Sequence, residues 1–178
     1  DTFRFEITFP DTWLIPDSDF EAYMKAQGFD LSMKAPENMN AVDRVRMNKA
    51  LQRVTMLVTA YRSLPGSEEN AIMRVAAENL KDQPQIADAV DYVDAIRSMY
   101  AGMRLPADFK YSDTQAEKLG RHQFAFIDTE TKEGTKRTYV TVRDGYALLF
   151  TLTYTLKEDL ETMRKVLADG SFDLAKTS

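Results

Sequence analysis

Few residues in this chain have side chains suited to catalysis, and their spacing fits no catalytic template. His122 is the only histidine. A Ser-His-Asp site also needs a nucleophile on an orienting turn, and no G-x-S-x-G occurs. One histidine cannot build a histidine-dominated zinc site, and zero cysteines remove thiol nucleophiles, thiolate zinc sites and iron–sulfur clusters. His122 therefore reads as an ordinary hydrogen-bonded or surface side chain. Asp88, Asp91 and Asp94 recur at every third position, a spacing that lets neighbouring carboxylates share a hard cation. The same spacing also fills the solvent side of a helix opposite Ile86, Val90 and Val93, and that is the reading adopted, with no metal site expected. Asp17-Ser18-Asp19 opens like a calcium loop but lacks the glycine and glutamate an EF-hand requires, so it reads as a helix cap. The seven glycines are dispersed, which leaves no phosphate cradle and no cofactor motif.

Binding residues stand out more than catalytic ones. Arg44, Arg46, Lys49 and Arg53 bunch together with Met39 and Met47. Cations and adaptable methionines on a long loop could grip an acidic or variable partner. The competing reading is a solvated loop that balances nearby acids. Trp13 is the single tryptophan. It is a candidate partner anchor, set against plain packing beside Pro10 and Pro16.

Composition narrows the classes of function. The 178 residues carry 23 basic and 28 acidic side chains, net −5, with 44% hydrophobic residues. A chain of this size buries enough surface to fold without disulfides, and one domain over 1–178 is expected. The acidic balance argues against a duplex nucleic-acid binder. No apolar run is long enough for a membrane span. The chain starts at Asp1 with strand-like residues by Phe3, so the expectation is an exported bacterial protein whose signal peptide has been removed.

These candidates need elements to position them. Phe3, Phe5, Ile7 and Phe9 alternate with Arg4, Glu6 and Thr8, which predicts a half-buried strand over 3–10. Asp17 or Ser18 caps a short helix over 19–27 that Gly28 ends, and Phe29, Leu31 and Met33 suggest a second strand. Residues 37–49 show no period and read as a long loop. Over 51–62 both alternating faces are apolar or β-branched, which predicts a strand in the middle of the sheet. Ser67 is read as the cap of a helix with the stripe Ile72, Val75, Ala76 and Leu80. Pro84 is read as opening a second helix that Gly102 ends. Residues 106–120 look irregular, with a short extended piece at 109–112. Strands follow over 121–129, 137–143 and 146–154, with Asp144-Gly145 making a type I′ hairpin turn. A last helix over 156–168 carries Leu156, Leu160, Met163 and Leu167, and Phe172 is expected to fold back onto the sheet. The order predicts an α+β layered domain around one antiparallel sheet.

With these elements in place, the chain resembles the PsbP/Mog-like superfamily over nearly its whole length. The resemblance rests on residues 3–10 followed by Trp13, on the two-sided segment 54–61, and on Leu119-Gly120 leading into the strand meander. Asp144-Gly145-Tyr146-Ala147-Leu148 and the closing helix near Phe172 add to it. It implies an α/β/α sandwich and a role as a binding or assembly factor rather than an enzyme. The leading expectation is thus a non-enzymatic binding or assembly module for a protein or small ligand. The alternative is a hydrolase or metal-dependent enzyme whose acids converge from scattered positions such as Asp88, Asp91 and Glu117. A self-associating subunit is the third reading. A deep pocket with two or more converging carboxylates would favour the enzyme.

Overall fold

The structure is a computed structural model and describes residues 3–28, 33–132 and 134–173. Its elements in chain order are α1 (Ser18–Ala26), α2 (Ala41–Leu51), β1 (Thr55–Tyr61), β2 (Ile72–Asn79) and α3 (Ala89–Ala101). There follow β3 (Lys110–Tyr111), β4 (Gln115–Leu119), β5 (His122–Thr131), β6 (Gly134–Arg143), β7 (Tyr146–Tyr154) and α4 (Lys157–Asp169). The strands form a seven-stranded sheet in the order β1-β2-β7-β6-β5-β3. Every neighbouring pair is antiparallel, and the outer edge of β5 is shared between β4 and β3.

Alternation along the strands sends side chains to two apolar layers. On one face Met73, Val75, Phe124, Phe126, Tyr139, Leu148, Phe150 and Leu152 meet Met163, Val166 and Leu167 of α4. On the other, Ala125, Ile127, Val140 and Ala147 meet Tyr92 and Val93 of α3. A third cluster, Ala35, Met39 and Met47 against Leu51, Tyr100 and Phe109, seats α2 beside the end of α3. Helices on both faces of one antiparallel sheet are the α+β sandwich that the sequence predicts.

Several elements are as expected from the sequence. Asp17 caps α1 by accepting from the Phe20 amide at 2.9 Å. Asp144 and Gly145 both adopt positive φ, +50° and +78°, as a type I′ turn demands. Phe172 is buried in the α4-side core.

Others differ. Residues 3–10 form no regular strand: their backbone makes one isolated bridge, in which Glu6 and Ser171 exchange hydrogen bonds of 2.8 and 2.9 Å. Their alternation nonetheless reports packing correctly, since Phe3, Phe5, Ile7 and Phe9 all lie against the α4-side core. The expected loop over 37–49 is largely α2, capped by Asn40, whose side chain accepts from the Asp43 amide at 3.0 Å. It shows no period because Met47 is its sole buried residue.

The expected helix after Ser67 is instead β2, where Met73, Val75 and Ala77 face α4 while Ala76 and Glu78 are buried on the other face. The strand expected in mid-sheet, β1, is an edge strand, and β2 has the two-sided position. α3 starts at Ala89, capped by Asp88, rather than at Pro84. The region read as irregular contains β4. Phe29 and Leu31 lie outside the described residues, and Met33 sits in irregular backbone.

His122 packs between aromatic rings. Its imidazole stacks on Phe172 at 4.9 Å, meets Phe124 edge-on at 5.1 Å, and places Nε2 2.8 Å from Thr141 Oγ1. Burial, offset in part by Asp173 and reinforced by Arg143, holds its pKa below the ordinary 6.5. A histidine with a depressed folded pKa contributes stability above its unfolded pKa and loses it as pH falls through the folded value. The urea midpoint is therefore expected to drop on going from pH 7 to pH 5, and the drop should be smaller in His122→Gln. An equal drop in both proteins would show that His122 is not the group responsible.

Candidate functional site

β2, β7, β6 and β5 present a second face that α3 covers at only one end. Beyond it lies a cavity of about 650 Å³, roofed by α2 and α3 and floored by the sheet. That volume falls within the range of small-molecule sites.

Strand register sets the floor. Ala76 pairs with Leu149 and Leu149 with Val140, an apolar rung. One rung further, Arg74 pairs with Thr151 and Thr151 with Thr138, whose hydroxyls lie 3.0 Å apart. The next rung pairs Thr153 with Lys136 and Lys136 with Thr129. The floor thus grades from aliphatic to hydroxyl and cationic over three rungs. The roof is apolar where Ile96, Met99 and Tyr100 descend from α3, and cationic where Arg46 and Lys49 project from α2 and Arg53 follows it.

The electrostatic balance is one-sided. Lys34, Arg46, Lys49, Arg53, Arg74 and Lys136 line the cavity, whereas Glu78 is its sole carboxylate among the described residues. Glu78 is buried and already engaged: it accepts from the Tyr92 hydroxyl and from Gln83 Nε2 at 2.8 Å, and Arg53 Nε stands 3.9 Å away. Burial, followed by the charge and hydrogen bond of Glu78, pushes the Tyr92 hydroxyl pKa far up, so Tyr92 stays a donor. Burial lowers the pKa of Arg74, while Tyr61 and Glu21 act the other way. Six cations around one cleft, in a chain of net charge −5, concentrate positive potential there.

The structure gathers some of the expected site residues and separates others. Arg46, Lys49 and Arg53 line the cavity. Arg44 lies outside it and donates to the Glu37 carbonyl at 3.3 Å. Trp13 packs into the α4-side core, its ring stacked 6.3 Å from Phe9.

The scattered acids do not converge. Asp88 Oδ1 accepts from the Asp91 amide and Asp91 Oδ2 from the Ala87 amide, both at 2.9 Å, a reciprocal cap of α3. Asp94 accepts from Thr114 Oγ1. Glu117 lies on the opposite side of the sheet, taking a 2.5 Å bond from the Tyr139 hydroxyl and a 3.0 Å bond from Arg164 Nε. Burial would raise the Glu117 pKa, but these two donors and the nearby guanidinium charges bring it below the usual value, as suits an ionic tie between α4 and β4. No group of three or more potential metal ligands occurs among the described residues.

Arg74, Glu78, Lys136 and the threonines escaped the sequence reading. The alternation Arg74, Ala76, Glu78 was a usable signal, but it was hidden by apolar residues that fall at helical spacing. Thr151 and Thr153, on the non-aromatic side of the last strand, were a second.

No protein-family model matches the chain, and no curated protein matches it. Among solved structures it is similar to the solution structure of cyanobacterial PsbP (CyanoP) from Synechocystis sp. PCC 6803. The TM-score is 0.49 at 12% sequence identity, over 97% of this chain and 88% of that one. A likeness this shallow assigns no activity, partner or compartment.

Proposed function

We propose that the chain is a non-enzymatic binding module whose small-molecule ligand occupies the cavity between α2, α3 and the sheet. The observation that carries this reading is the cavity itself: about 650 Å³, with an apolar roof beside a hydroxyl and cationic floor. Apolar walls with a few convergent polar groups are how proteins hold small ligands in a fixed orientation. The enzymatic alternative needs converging acids, and Asp88, Asp91 and Glu117 are each engaged in separate structural bonds. No helix of the described residues is long and apolar enough to cross a membrane.

Equilibrium dialysis against a total small-molecule and lipid extract, with mass analysis of what the protein retains, tests the reading. A retained compound is expected, and Thr138→Trp, which fills the floor, should release it. Nothing retained, or equal retention by Thr138→Trp, would contradict a ligand in this cavity.

A further inference from the structure

α2 roofs the cavity without resting on the sheet. Among the described residues, none from 33 to 54 belongs to either sheet-face core. α2 turns Met47, Ala50 and Leu51 to the cavity, so the cavity itself lies between this helix and the floor. Its apolar anchorage is the small third cluster, in which Met39 and Met47 lean on Tyr100, Met103, Leu105 and Phe109 at the far end of α3. A satellite cluster of that size, apart from the main cores, is where a protein opens locally before it unfolds.

Polar bonds tie the N-terminal half of α2, and the turn before it, to the segment 102–108 that follows α3. Asn38 donates to Asp108 Oδ1 at 3.0 Å, Asn40 to the Arg104 carbonyl at 3.2 Å and Arg46 to the Gly102 carbonyl at 3.3 Å, while Asp43 accepts from the Arg104 amide at 2.9 Å. All four bonds are exposed, where exchange with water leaves each a small net contribution. Asn48 Oδ1 accepts from the Ala35 amide at 2.7 Å and Arg44 donates to the Glu37 carbonyl, so residues 35–51 hold together as one unit. The two ends of that unit are loose. Residues 33–36 have no regular structure, and residues 52–54 are a short turn that enters the edge strand β1. A few residues at the end of an element are enough to absorb a swing.

We propose that residues 35–51 are a lid on the cavity, latched to segment 102–108 and hinged at residues 52–54. The lid presupposes the ligand site proposed above. A compound in the cavity gives Met47, Ala50 and Leu51 an apolar surface to pack on, and so favours the closed position.

Hydrogen exchange of the whole chain, with no compound added, tests the opening. The amides of Arg46 to Leu51 are expected to share one opening, at least about a hundredfold more frequent than that of Val140 and Phe150 and little dependent on urea. Exchange of α2 only together with Val140 and Phe150, or residue by residue with unrelated protection, would overturn the lid.

A second measurement locks the latch. The chain has no cysteine, so Asn38→Cys with Asp108→Cys sets the only two thiols across it, where a short bis-thiol reagent joins them. Stopped-flow uptake of N-phenyl-1-naphthylamine, an uncharged apolar fluorophore, is the readout, and Thr138→Trp should abolish its signal. The unbridged variant should take up the dye as the unaltered chain does, and bridging should slow both uptake and release at least about tenfold. Equal rates before and after bridging would overturn the lid and leave the cavity as a ligand site. No saturable dye binding, with nothing retained from the extract, would remove the ligand site and with it the lid's purpose.

Discussion

Gly120→Ala is expected to destabilise the fold by about 3 kcal/mol, combining roughly 1–2 for a left-handed backbone with a similar cost for overpacking. Gly120 sits between β4 and β5 with φ +59°, and a Cβ built on it would lie 2.2 Å from the Ala168 carbonyl oxygen. That atom is backbone in the last turn of α4, so relief requires the helix end to move off the sheet. Gly145 supplies the internal control. It has φ +78° but nothing within 4 Å of a Cβ, so Gly145→Ala should cost only the backbone part, about 1 kcal/mol. Urea denaturation of both variants makes the comparison. Equal costs would mean that α4 does not press on this turn.

Phe124→Ala should have the larger effect, about 3–5 kcal/mol. Its side chain is 1% exposed and forms the hub of the α4-side core. It meets His122 at 5.1 Å, Phe172 at 5.3 Å, Tyr139 at 5.9 Å and Phe150 at 6.2 Å, each edge to face. Such pairs add about 0.5–1.5 kcal/mol beyond area burial. The hole left by truncation borders β5, β6 and β7 together, where paired strands limit collapse. Chemical denaturation should show this loss with an unchanged m-value. A cost under about 1 kcal/mol would mean that the ring cluster is not the main support of the sheet.

The legible parts of the fold were those whose large apolar side chains fall on one face only. Tyr146, Leu148, Phe150 and Leu152 announce β7 because a strand with one oily face alternates plainly, and Asp144-Gly145 fixes the turn before it. β2 was illegible for the opposite reason. Met73 and Val75 are buried on one face and Ala76 and Glu78 on the other, so period two vanished, and Ile72, Val75, Ala76 and Leu80 fell by accident at helical spacing. α2 was hidden because a helix with only Met47 buried shows no stripe. The position of β1 at the edge could not be read locally, because sheet order is set by which strands pair at long range.

The site divides in the same way. Arg46, Lys49 and Arg53 were visible as a cluster of like charge, and their placement on and just after α2 gave them a cavity to face. Arg74 and Lys136 each belong to a strand whose cavity face had no apolar alternation to mark it. Their lining of one cavity depends on β7 lying between β2 and β6, which no local pattern encodes.

Leu148 and Leu149 are adjacent in sequence and lie on opposite faces of the sheet, one in the α4-side core and the other on the cavity floor. A methyl NMR titration with the compound retained from the extract reads the two faces separately. Large shifts are expected at Leu149, Ile96 and Ile127, with Leu148, Leu152 and Met163 nearly still. Shifts centred on Leu148, Leu152 and Met163, or none at saturation, would contradict a ligand site between α3 and the sheet.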